Sequence, residues 1–166
     1  VVLYQALPKF DKLEYIIQKS VELGVSKIVP VMTSRCISRP DEKTMKKKLE
    51  RLRKIADEAA KQSGRGKLPE VGEMLSFKNA VLEMENFETP IFFFEHAEYP
   101  LREIMEKRNG GKIALMGGCE GGFSDDEAKF ASEHGAFIAS LGPRILRCET
   151  APLCALSAVM YDAGEF

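Results

Sequence analysis

The chain has no long apolar run, no clustered metal-ligand motif and neither of the common phosphate-binding loops, and each absence narrows what it can do. No stretch approaches the ~20 consecutive apolar residues of a membrane span, so a membrane partner is not expected. Val1 to Leu7 has neither a basic n-region nor a small-residue cleavage site, and a cytoplasmic location is the expectation. Cys36, Cys119, Cys148 and Cys154 show no C-x-x-C spacing, and His96 and His134 stand in no zinc-like array, so no metal is expected and reduced thiols account for the cysteines. Gly-x-x-x-x-Gly-Lys-Ser/Thr and Gly-x-Gly-x-x-Gly are both missing, which weighs against an ATP or NAD site. A net charge of -1 argues against a protein that is basic all over.

What is present fits one domain. At 166 residues, with 45% hydrophobic and 30% charged, the chain can bury a sizeable core. Apolar runs at Val1 to Leu7, Lys27 to Met32, Pro90 to Glu95, Lys112 to Met116 and Ala136 to Leu141 read as short strands. They alternate with helical patterns, which predicts an α/β fold: a mostly parallel sheet with helices on both faces. The first helix follows Asp11, which is placed to cap it, carries Leu13, Ile16, Ile17 and Val21 as one stripe, and ends at Gly24. The second starts at Asp41, turns Met45, Leu49, Leu52, Ile55, Ala56 and Ala59 inward, and stops at Gly64. Its outer face bears Lys43, Lys46, Lys47, Lys48, Arg51, Arg53 and Lys54, which is either a solvated face or an RNA track. Weaker helical patterns occupy Phe77 to Met84 and Tyr99 to Lys107.

Two glycine-bearing turns hold most of the chemistry. Gly117-Gly118-Cys119-Glu120-Gly121-Gly122-Phe123 leads into Ser124-Asp125-Asp126-Glu127, a capping box. The carboxylates there would repel a triphosphate, so a neutral or cationic cofactor group is better tolerated. Leu141-Gly142-Pro143-Arg144-Ile145-Leu146-Arg147 leads through Cys148 to Glu149-Thr150-Ala151-Pro152, where Thr150 can cap a final helix. Glycine turns at the carboxyl ends of parallel strands let a backbone approach a ligand. Arg144 and Arg147 can bind a phosphate or stabilise an anion, or else pair with Glu120 or Glu149 to shape the loops. The small residues Ala151, Cys154, Ala155, Ser157 and Ala158 of the final helix permit close packing, within the monomer or against a second copy.

Four segments in order carry a resemblance: Asp11-Lys12-Leu13-Glu14 with Ile17 to Val25, Ile55 to Arg65, Glu120 to Ser124, and Leu141 to Arg147 with Glu149-Thr150-Ala151. Through most of its length the chain resembles the ribosomal RNA small-subunit methyltransferase E family of the SPOUT superfamily. The resemblance implies methylation of N3 of a uridine in small-subunit ribosomal RNA, with S-adenosylmethionine as cofactor, a C-terminal trefoil knot and a homodimer. It also implies that residues 1–166 are the catalytic domain, with the family's N-terminal RNA-binding barrel outside this chain. The cofactor residues implied are Glu95, His96, Gly118, Glu120, Gly121, Leu141, Gly142, Arg144 and Leu146. Arg147 is the residue expected to stabilise an anion on the base, with Glu149 orienting it. Cys119 stands where the family has proline, and Cys148 where it often has threonine. A non-enzymatic RNA-binding module is the alternative, resting on the basic segment Lys43 to Lys54.

Overall fold

The computed structural model describes all 166 residues. Seven strands form a single sheet: β1 (Val2–Ala6), β2 (Lys27–Met32), β3 (Glu70–Val71), β4 (Leu75–Ser76), β5 (Thr89–Phe93), β6 (Ile113–Gly117) and β7 (Phe137–Ala139). They run in the order β3-β2-β1-β6-β5-β7, with β4 beside β2, and every strand pair is parallel. Six helices connect and cover them: α1 (Lys12–Glu22), α2 (Glu42–Gln62), α3 (Phe77–Met84), α4 (Leu101–Lys107), α5 (Asp125–Glu133) and α6 (Ala151–Asp162). The α/β expectation of a parallel sheet therefore holds.

Successive strand residues point to opposite faces, and β1 shows what covers each. Tyr4 sends its hydroxyl to Glu83 of α3 at 2.8 Å and packs edge-on against Phe87. Gln5, the next residue, lies on the other side, beside Gly117 and Pro152 of α6. On the Tyr4 face, Phe77 of α3 packs against Phe92, Phe123 and Phe130, joining α3 to α5. On the Gln5 face, α6 packs against α1 and β6, and α1 in turn against α2. Central strands β5 and β6 are buried throughout, as their unbroken apolar character requires.

Local signals explain the helix ends only in part. Asp41 accepts from the Thr44 N–H at 2.7 Å, and Ser124 and Glu127 form the full capping box. Glu127 also accepts from the Ser34 N–H at 2.8 Å, tying the loop after β2 to α5. Asp11 and Thr150, expected to cap with their side chains, do not. Neither has the extended backbone that aims a capping side chain at the helix: Asp11 sits at φ -92, ψ 9 and Thr150 is already helical at φ -87, ψ -41. The Arg147 carbonyl instead accepts from the N–H groups of Thr150 and Ala151 at 2.9 Å, closing the turn that leads into α6.

Two short strands, β3 and β4, lie between α2 and α3. Arg65 explains how that segment is anchored. Its guanidinium donates to the carbonyls of Val21, Gly24 and Val25 at 3.1, 3.3 and 2.6 Å, satisfying the carboxyl end of α1.

Candidate functional site

The carboxyl ends of β5, β6 and β7 open into one cavity of about 610 Å³. This is the position where open parallel sheets hold ligands, and the volume lies in the usual range for a small-molecule site. One wall is Gly117, Gly118, Cys119, Glu120, Gly122 and Phe123; the opposite wall is Leu141 through Cys148; Phe93, Phe94, Glu95, Ala97 and Lys12 close the rest. The lining is half hydrophobic.

Side chains and backbone crowd the two glycines that open the first turn. A Cβ on Gly117 would lie 2.8 Å from Gln5 Oε1, and one on Gly118 would lie 3.2 Å from the Phe123 ring and 3.3 Å from the Gly122 Cα. Gln5 is fully buried and donates to the Gly118 carbonyl at 3.0 Å, so β1 supports the turn from below. On the opposite wall, Gly142 takes φ +104, a left-handed conformation that a side chain would strain.

Of the residues expected to bind a cofactor, Glu95, Gly118, Glu120, Leu141, Gly142, Arg144 and Leu146 line the cavity, as does Arg147. His96 and Gly121 do not. His96 is largely exposed on the rim, edge-on to Phe94. Gly121 faces outward, its carbonyl accepting from Arg35 at 2.8 Å. Glu149 lies outside the main cavity, in an adjoining hollow with Tyr15, Leu153 and Cys154 that shares Lys12 with it.

Arg144 and Arg147 are exposed and make no ion pair, so the loop-shaping alternative fails. Lys12 fills that role. Its ammonium is 3.0 Å from Glu149 and 3.3 Å from Glu120, one carboxylate from each turn. Donation to Glu149, then to Glu120, raises the Lys12 pKa above its ordinary value. The Cys148 thiol, 3.1 Å from Glu149, and then Lys12 hold the Glu149 carboxyl down to about 2. Burial, with that same hydrogen bond to Glu149, pushes the Cys148 thiol up to about 12. Glu120 is partly desolvated, yet backbone N–H groups, Lys9's among them at 3.1 and 3.2 Å, together with Lys12 keep it below the usual carboxylate value.

Lys12 and Gln5 are site residues that no sequence motif marks as such. Lys12 belongs to the Asp11 to Glu14 segment and carried that much signal; an isolated glutamine in an apolar strand carried only its oddity. In the basic segment, Arg51 is bound to Glu14 at 2.8 Å and Arg53 to Glu73 at 2.7 Å, whereas Lys43, Lys46, Lys47 and Lys54 are exposed and unpaired.

Cys119 is buried under the first turn. It meets Cys36, from the loop after β2, whose thiol lies 3.1 Å from the Thr33 hydroxyl. Interaction with the Cys119 thiol, followed by the Thr33 hydrogen bonds, lowers the Cys36 pKa, and Cys36 together with burial raises that of Cys119.

The described architecture has close relatives. The chain is 38% identical over 168 residues to ribosomal RNA small subunit methyltransferase E of Bacillus subtilis, covering 98% of this chain and 66% of that protein. It superposes with a TM-score of 0.87 and 37% identity on a ribosomal RNA small subunit methyltransferase E from Neisseria gonorrhoeae bound to S-adenosyl methionine. A putative methyltransferase from Legionella pneumophila, in complex with the same cofactor, superposes with a TM-score of 0.90 and 35% identity. Each of these two superpositions covers 96% of this chain and 65% of the other. The chain thus spans about two thirds of the length of each of the three relatives. A family model described as an RNA methyltransferase domain matches residues 1–160. The chain belongs to the RNA methyltransferase domain family.

Proposed function

We propose that this chain is the S-adenosylmethionine-dependent catalytic domain of an enzyme that methylates N3 of a uridine in small-subunit ribosomal RNA. The observation that carries the reading is the cavity between the Gly118 and Gly142 turns, in a chain whose relatives at 35% and 37% identity hold S-adenosylmethionine. The residues suit that cofactor. Half-apolar lining accepts an adenine ring, Gly117 and Gly118 leave no room for side chains, and the carboxylates of Glu95 and Glu120 can accept ribose hydroxyls or lie beside a sulfonium. In this reading main-chain groups of Leu141, Gly142 and Leu146 hold the cofactor's adenine and ribose, and Arg144 contacts either the cofactor or an RNA phosphate.

When bound, the cofactor supplies an electrophilic methyl carbon. Uracil N3 attacks best once its proton has passed to water and the charge spreads to the flanking carbonyl oxygens. Arg147, exposed and unpaired at the cavity wall, is free to stabilise that charge. Glu149 acts on it indirectly, by fixing Lys12 and the start of α6. His96 and Gly121 lie outside the cavity lining and hold no cofactor group in this reading.

The same reading includes the trefoil knot, a homodimer and a cytoplasmic location. Support for the knot is that α6 returns from the edge strand β7 to pack on α1 and β6. Support for the dimer is the outer side of α6, where Cys154, Ala158 and Tyr161 are exposed beside the hollow lined by Leu153 and Ser157. Sedimentation at increasing concentration tests the dimer, and a Leu153→Glu change should shift the chain to monomer.

Calorimetry with S-adenosylmethionine, paired with turnover on small-subunit ribosomal RNA, tests the site. Arg147→Ala should retain cofactor affinity and lose roughly 100-fold or more in turnover, the scale of removing one anion-stabilising donor. Undiminished turnover would remove Arg147 from the mechanism.

A further inference from the structure

Phe10 combines features that rarely meet in one residue. It is the only residue besides glycine with a positive φ, +56°. Its side chain is 82% exposed and lies outside the core. A left-handed backbone is disfavoured for any residue with a Cβ, and an exposed phenyl ring gains nothing from burial. Burial in the core offsets neither cost.

Both sides of Phe10 are fixed to the site. Lys9 before it has its N–H held by the two oxygens of Glu120, and Asp11 after it accepts from the Glu14 N–H as α1 begins. Lys12, two residues on, lines the cavity. At 3.8 Å per residue, the Phe10 Cα lies within about 8 Å of the Lys12 Cα. The turn that carries the exposed ring is thus tied to the cavity wall through Glu120 on one side and Lys12 on the other. Lys9 and Lys12 flank it against the single carboxylate of Asp11, and Arg144 and Arg147 stand exposed on the opposite wall.

An exposed aromatic ring among cations matches single-stranded nucleic acid, whose bases stack while its phosphates meet positive charge. We infer that Phe10 is a stacking platform for a base flanking the target nucleotide, holding single-stranded RNA across the cavity mouth. This rests on the RNA-methyltransferase reading above. It makes Phe10 a positioning residue for the RNA with no contact to the cofactor.

The strain makes the test sharp, because fold and function should respond in opposite directions. The chain and its Phe10→Gly and Phe10→Trp variants are titrated with a short fluorescein-labelled oligouridylate, with S-adenosylmethionine by calorimetry, and with denaturant. Phe10→Gly should unfold at higher denaturant concentration, bind oligouridylate about tenfold more weakly, and bind S-adenosylmethionine as before. Phe10→Trp should retain oligouridylate affinity. Equal binding by Phe10→Gly, or no binding by the parent chain, overturns the inference. So does a Phe10→Gly variant that changes only the sedimentation of the chain, which would make the ring a contact between copies. Failure of the parent chain to take up S-adenosylmethionine would instead count against the methyltransferase reading, leaving the oligonucleotide result to decide Phe10.

Discussion

Lys12 Nζ stands 3.0 Å from Glu149 Oε2, and the same ammonium reaches Glu120 at 3.3 Å. Residues from the start of α1, the turn after β6 and the approach to α6 are thereby held on one charge. The two turns that enclose the cavity are separate in sequence, and Lys12 is the ionic tie between them.

Replacing Lys12 with Met leaves Glu120 and Glu149 facing each other without a cation. The turns should separate, and S-adenosylmethionine affinity should fall by about two- to fivefold, the scale of a screened charge contact. Lys12→Arg should recover most of it. Calorimetry at low and high salt checks both, and the loss should shrink at high salt.

The depressed Glu149 carboxyl sets an acid-range dependence. Its pKa in the folded chain is about 2 against an ordinary 4.5. A group with a lowered folded pKa stabilises the fold above its unfolded value, and that contribution is lost as pH falls through the folded value. Stability should therefore decline between about pH 4.5 and about pH 2, and Glu149→Gln should flatten part of that decline. Denaturant midpoints across this range provide the measurement.

Gly117 has no room for a methyl group, since Gln5 Oε1 would be 2.8 Å from it and Gln5 is locked in place by its bonds to Ala6 and Gly118. Gly117→Ala should cost about 1–3 kcal/mol of stability, as overpacking does, and weaken cofactor binding with it. A variant as stable as the parent would show that the turn yields.

Arg65 holds three carbonyls at the end of α1. Arg65→Ala should cost about 2 kcal/mol, the range for hydrogen bonds to a charged group, without touching the cavity. Urea unfolding and S-adenosylmethionine titration together separate these effects.

Cys36, Cys119 and Cys148 are buried and Cys154 is exposed. A thiol reagent should modify Cys154 first in the native monomer, more slowly at concentrations where the chain dimerises through α6, and the other three only on unfolding. Early labelling of Cys119 would mean that the first turn opens in solution.

Much of this architecture is legible in the residues themselves. Ile91 to Phe93 and Ile113 to Met116 are apolar without alternation because both faces of their strands are covered, and Ser124 with Glu127 marks the start of α5. Strand order is another matter. Nothing in the periodicity of Val2 to Ala6 says that it lies beside Ile113 to Gly117, over a hundred residues away. The two-residue strands β3 and β4 are too short to carry a period. At the site, the turns themselves were visible as glycine clusters. Lys12 was not, because its role comes from two carboxylates that only the folded chain brings within reach. Asp11 and Thr150 misled for a related reason: residue type suggests a cap, but the surrounding turns set their backbone angles.

The decisive measurement is transfer of a labelled methyl group from S-adenosylmethionine to small-subunit ribosomal RNA by a protein carrying this chain, with the modified atom mapped. One N3-methyluridine is expected, formed roughly 100-fold or more slowly by Arg147→Ala. A methyl group on a ribose oxygen or another base atom, or no transfer at all, would contradict it.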